Sequence, residues 1–145
     1  MNKIVEIDHY SHDIHCYLYQ KYFVNKQFIL VTQTLSNQNR RLRVITIENG
    51  MIQIYSTELI QNEKNECIDV RILLLHQMCL INAICIQSNK LDFMIKTISG
   101  NIIFRLLFEE HISLLLNSLQ LSSVFINSND NQINQINLND KKIEE

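Results

Sequence analysis

The chain of 145 residues has no proline, no tryptophan and only two glycines. Two glycines do not make a phosphate-cradling loop, which needs several in close succession. The absence of proline removes the usual stiff turn, and Gly50 and Gly100 serve only two reversals. Asn-rich segments are therefore expected to supply the other turns, because asparagine tolerates a left-handed backbone. No apolar run approaches the roughly 20 residues that a helix needs to cross a bilayer. The N-terminal run MNKIVEIDHYSHD meets acidic and histidine residues too early to read as a signal peptide, so an intracellular, cytoplasmic chain is expected. Four cysteines (Cys16, Cys67, Cys79, Cys85) are scattered without a CxxC pair and read as reduced thiols. With a net charge of −2, the molecule as a whole lacks the footprint of a nucleic-acid binder.

What is present reads as a mainly β chain closed by one helix. In LDFMIKT, Leu91, Phe93 and Ile95 alternate with Asp92, Met94 and Lys96, the period of a half-buried strand. Ser99-Gly100-Asn101 turns the chain into IIFRLLF. After Phe108 the period changes: Ile112, Leu115, Leu116 and Leu119 share one helix face, and Glu109 and Glu110 fall in the expected first turn. Upstream, RLRVITIE and MIQIYS flank Asn49-Gly50, the strongest short hairpin signal. Ile14–Val24, rich in aromatic residues, is expected as a strand, followed by a second over 27–35. The charged, amide-rich stretch 57–66 reads as a loop. Residues 67–75 and 78–87 read as two strands, although periodicity alone leaves a buried helix over 68–81 open. The boundaries expected are an unassigned segment at 1–13, a domain at 14–121 and a disordered Asn-rich tail at 122–145.

Chemistry-bearing patterns are sparse. His9, His12, His15 and Cys16 form HxxHxxHC, but no second cluster completes a four-ligand site, so no metal or other cofactor is expected. Asp69 and His76 have no nucleophile tied to them, and the chain is read as non-enzymatic. Arg40, Arg41 and Arg43, with Lys26 in support, form a candidate anionic-headgroup site, since the guanidinium is a planar fork of donors for phosphate.

The segments RRLRVITIENGMIQIYS and LDFMIKTISGNIIFRLLFEEHISLLLNSL resemble the early hairpin and the last two strands plus closing helix of the pleckstrin-homology (PH) superfold. The resemblance covers about residues 14–121. It implies a bent antiparallel sheet or barrel of about seven strands capped by a helix near 109–121, and a non-catalytic adaptor for a protein partner or a membrane phosphoinositide. The order of residues is also similar to the N-terminal PH-like domain of the large endosomal J-domain protein of receptor-mediated endocytosis, which implies peripheral attachment to endosomal membranes. That family contacts lipid with Lys, Trp and Tyr at the opening occupied here by residues 32–41. Here Thr32, Leu35 and Asn39 stand in it, and Arg40 and Arg41 keep the charge. A second reading is a structural subunit that meets its neighbours through exposed sheet edges.

Overall fold

The computed structural model describes residues 1–128. Nine strands and two helices alternate in the order β1 (Lys3–Glu6), α1 (His12–Tyr22), β2 (Ile29–Thr34), β3 (Arg40–Glu48), β4 (Met51–Gln61), β5 (Cys67–Cys79), β6 (Ile84–Gln87), β7 (Asp92–Thr97), β8 (Gly100–Leu106), α2 (His111–Leu121) and β9 (Phe125–Ser128). All nine strands join one open sheet in the order β1-β4-β3-β2-β8-β7-β6-β9, with β5 on the other side of β4. Every pairing is antiparallel except β6–β9, which is parallel. The mainly β expectation is met, with more strands than expected and two helices where one was anticipated.

Alternation along β2 and β3 sends successive side chains to opposite faces, and both faces are covered. Ile29, Val31 and Ile45 join Ile52, Phe93, Phe104, Leu115 and Leu119 in one core under α2. Leu30, Leu42 and Val44 join Ile7, Ile14, Leu18 and Phe23 in a second core under α1. This explains why residues 42–46 of β3 are all buried, where a strand with one wet face would alternate.

Several expectations are corrected. Ile14–Val24 is not a strand: its first nine residues belong to α1, whose N-cap Ser11 accepts the Ile14 N–H at 3.3 Å. Ile14 and Leu18, four apart, are the buried pair of that helix, so period 3.6 governs a stretch whose composition favours strand. The boundary drawn at residue 14 therefore cuts through a helix, and β1 within 1–13 pairs with β4 from Lys3↔Gln61 to Glu6↔Glu58. The loop expected at 57–66 starts only after Gln61. Thr57 is fully buried and donates its hydroxyl to the Leu42 carbonyl at 2.9 Å, and Leu59 packs in the second core. The break expected after Leu75 is absent. β5 runs on to Cys79 and the reversal falls at 80–83, around Asn82 with φ +60°. Within 122–128, expected as disordered tail, Phe125–Ser128 is a strand anchored by the buried Val124. The remainder of that expected tail, 129–145, lies outside the described residues. α2 begins at His111, so Glu110 occupies the N-cap and Glu109 precedes it, paired with Lys90 at 3.1 Å.

The turn chemistry follows the shortage of glycine. Asn25, Asn49, Asn65 and Asn82 all adopt positive φ, the conformation that glycine otherwise takes at least cost.

Candidate anion-binding groove between diverging strands

β2 and β8 pair only at Val31↔Leu106 and Thr32↔Arg105. Past Thr32 the two strands separate, and a groove of ≈ 550 Å³ opens at the split. Alternation sets its chemistry. Thr34 continues the Thr32 face of β2, and Arg40 faces Thr34 across the β2–β3 ladder. Ile103 and Arg105 line the β8 side, with Met94 and Asp92 opposite them on β7. The groove thus joins two threonine hydroxyls and two guanidinium groups to an apolar floor.

The two arginines differ in commitment. Arg105 Nη1 donates to Asp92 Oδ2 at 2.9 Å, and the same oxygen accepts from Asn89 Nδ2 at 2.6 Å. Arg40 is exposed, and its guanidinium has no partner among the described residues. Beyond the groove the same sheet face carries exposed Ile84, Ile103 and Phe125, 40, 66 and 67% accessible, and exposed Lys96. Arg40, Lys96 and Arg105 against Asp92 make this face positive on a chain whose formal net charge is −2.

The residues singled out in the sequence do not all converge there. Arg41 and Arg43 point to the opposite sheet face, because they are odd-numbered neighbours on the strand that carries Arg40. Arg43 is buried, its Nη1 donating to Glu6 Oε1 and its Nε to Gln33 Oε1 at 3.3 Å. Arg41 Nε lies 3.2 Å from Glu6 Oε2, off the hydrogen-bond line. Burial works against ionisation of Glu6, but the hydrogen bond from Arg43 and the positive charges of Arg43 and Arg41 outweigh it and hold the carboxyl below its ordinary value. Lys26 precedes β2 and lines a separate groove with Glu48 and Tyr55, at the end of β2 away from Arg40. Of the four candidates, the structure brings only Arg40 to the split. Arg105 was missed in the sequence, where it reads as one polar residue within an apolar strand. The register Thr32↔Arg105, which brings it to the groove, joins strands more than seventy residues apart.

The histidine motif also separates. His12 Nε2 lies 3.5 Å from Cys16 Sγ, one helical turn away, whereas His9 contacts Asp8 at 2.8 Å and His15 packs against Tyr10 and Phe28. Among the described residues no three His, Cys, Asp or Glu side chains gather as metal ligands. Asp69 is held by Lys21 at 2.6 Å, while His76 is exposed further along β5. Cys85 is buried, and its thiol is pushed up to about 12 by loss of solvation, which leaves it a poor nucleophile at neutral pH. No helix among the described residues is long and apolar enough to cross a membrane.

No protein-family model matches the chain, and no curated protein matches it.

Proposed function

We propose that the chain is a non-catalytic PH-like adaptor that docks an anionic group in the split between β2 and β8. The source of that group is the headgroup of a membrane phosphoinositide or an acidic segment of a protein partner. The observation that carries this reading is the exposed guanidinium of Arg40, without a partner among the described residues, at the mouth of a ≈ 550 Å³ groove, beside Arg105 and the hydroxyls of Thr32 and Thr34. A guanidinium with free donors accepts a phosphate or carboxylate in bidentate fashion. The neighbouring Ile103, Ile84 and Phe125 give the same face the apolar apron that an interfacial contact uses.

The PH-like reading is supported by the path β5-β4-β3-β2-β8-β7-β6, two antiparallel runs joined through β2 and β8, with α2 directly after β8 and packed in the core that they share. On this reading α1, β1 and β9 are additions to a seven-strand unit.

Co-sedimentation with phosphoinositide liposomes, run beside an acidic-peptide binding assay at low and high salt, tests the proposal. Salt-sensitive binding in either assay that is lost in Arg40→Glu supports it and names the source. Binding that Arg40→Glu leaves intact, or none in both assays at low salt, overturns it.

A further inference from the structure

The longest of the described strands is also an edge. β5 pairs with β4 along its length and with no other strand among the described residues, so its outer backbone groups need partners from elsewhere. Which groups point outward follows from the ladder. The Thr57 carbonyl is taken by the Ile7 N–H on the far side of β4, so the alternate residues Ser56 and Glu58 face β5. Their partners Leu73 and Arg71 face inward, and Val70, Ile72 and Leu74 face outward.

The two halves of this edge are treated differently. At Val70 both outward groups are satisfied by side chains: its N–H donates to Asp69 Oδ1 at 2.8 Å, and its carbonyl accepts from Lys21 Nζ and Tyr22 Oη, each at 3.4 Å. The α1 helix therefore blocks strand addition at this point. From Ile72 onward no such cover exists among the described residues. Leu73, Leu74 and Leu75 are 47, 51 and 43% accessible, and 72–77 contains no Lys, Arg, Asp, Glu or Pro, the usual guards of an edge.

We propose that the open half of β5 pairs with β5 of a second copy of this chain, antiparallel about a two-fold axis at Leu73. The register follows from the backbone. Only Ile72 and Leu74 offer outward groups between the capped Val70 and the irregularity at Leu75, and they are reciprocal about Leu73. Ile72 of each copy then exchanges hydrogen bonds with Leu74 of the other, and the two Leu73 side chains meet at the axis. A second copy fits better than an ordinary partner strand because Leu73 and Leu74, on opposite faces, are both exposed. A strand alternating apolar and polar residues covers one of them, whereas the Leu-Leu-Leu run of β5 covers both. With no formal charge over 72–77, self-pairing brings no like charges together. The contact comprises one short strand edge and a few half-exposed leucines, below the roughly 1,200 Å² of a standard interface, so the dimer is weak and concentration-dependent. It does not depend on the Arg40 groove, which lies across the sheet on β2 and β8.

Sedimentation equilibrium of the full chain from roughly 10 μM to 1 mM tests this, with affinities in that range expected for so small a contact. The expected result is a monomer–dimer equilibrium that Leu74→Lys abolishes while the circular dichroism and melting curve stay unchanged. Leu73→Cys is expected to give an interchain 73–73 disulfide on mild oxidation, located by peptide mapping, because facing residues of a non-hydrogen-bonded pair approach closely. A monomer at every concentration, a dimer that survives Leu74→Lys, or no 73–73 cross-link would each overturn the proposal.

Discussion

Arg40 and Arg43 lie three residues apart on one strand and have opposite fates. Arg43 is buried against Glu6 and Gln33 on the face that carries the larger core. Arg40 stands exposed on the other face, where β2 and β8 part. Three arginines within four residues look like one basic patch in the sequence; on a strand they become two sites. The buried site has its charge compensated and belongs to stability, since removing Glu6 would leave the buried guanidinium of Arg43 without its counter-charge. The open site has charge to spare, which is what the proposed recognition of an anion requires. Burial and compensation, more than the density of charge along the chain, separate a structural cation from a binding one.

The contrast can be broken from either side. The largest effect is expected for Arg43→Ala, about 3 kcal/mol of lost stability by denaturant titration, because the change removes the hydrogen-bonded partner of Glu6, leaving it Arg41 alone, and empties a buried site. Glu6→Gln is expected to cost about 1–2 kcal/mol, since Glu6 is partly exposed while both arginines lose their counter-charge. The same carboxyl sharpens the contrast through pH. Its folded-state pKa is depressed below the ordinary value near 4.5, so its contribution is fully present above that value and is lost as pH falls through the folded one. The stability gap between wild type and Glu6→Gln should therefore narrow below about pH 4.5 as the wild-type carboxyl protonates; a gap constant down to pH 2 would contradict the Glu6–arginine linkage. The smallest effect on stability belongs to Arg40→Ala, within about 0.5 kcal/mol of wild type, as for an exposed side chain without a partner among the described residues. That variant is expected to lose most of its salt-sensitive ligand binding, measured by co-sedimentation or peptide titration.

The regions that were legible in the sequence share local determinants. Asn49-Gly50 between two alternating runs fixes the β3–β4 hairpin without reference to the rest of the chain, and Asn49 and Gly50 both take the positive φ that such a turn requires. The change of period after Phe108 marks α2 equally well: Leu115 and Leu119 are the residues it buries. The N-terminal region was misread because its determinants compete. Tyr17, Tyr19, Tyr22 and Phe23 favour strand by composition, whereas Ser11 at the cap and Ile14 four residues before Leu18 favour helix. The second signal prevails because those two side chains have a core to enter, built by Leu30, Leu42 and Val44 from later in the chain. The end of β4 was lost for a related reason. Its strand character beyond Ser56 rests on pairing with β5 on one side and, from Glu58, with β1, more than fifty residues earlier, on the other. The groove was only half legible: clustering pointed to Arg40, but the face that it occupies and its companion Arg105 follow from strand register alone.

The central claim is that the anionic ligand enters the split between β2 and β8, and backbone amide shifts mapped during titration with a soluble inositol phosphate and with an acidic peptide test it most directly. The account predicts salt-sensitive shifts concentrated at Thr32, Thr34, Arg40, Ser88 and Arg105, absent in Arg40→Glu. Shifts centred on Lys26 and Tyr55, or on Glu6 and Arg43 with Arg40 undisturbed, would contradict it.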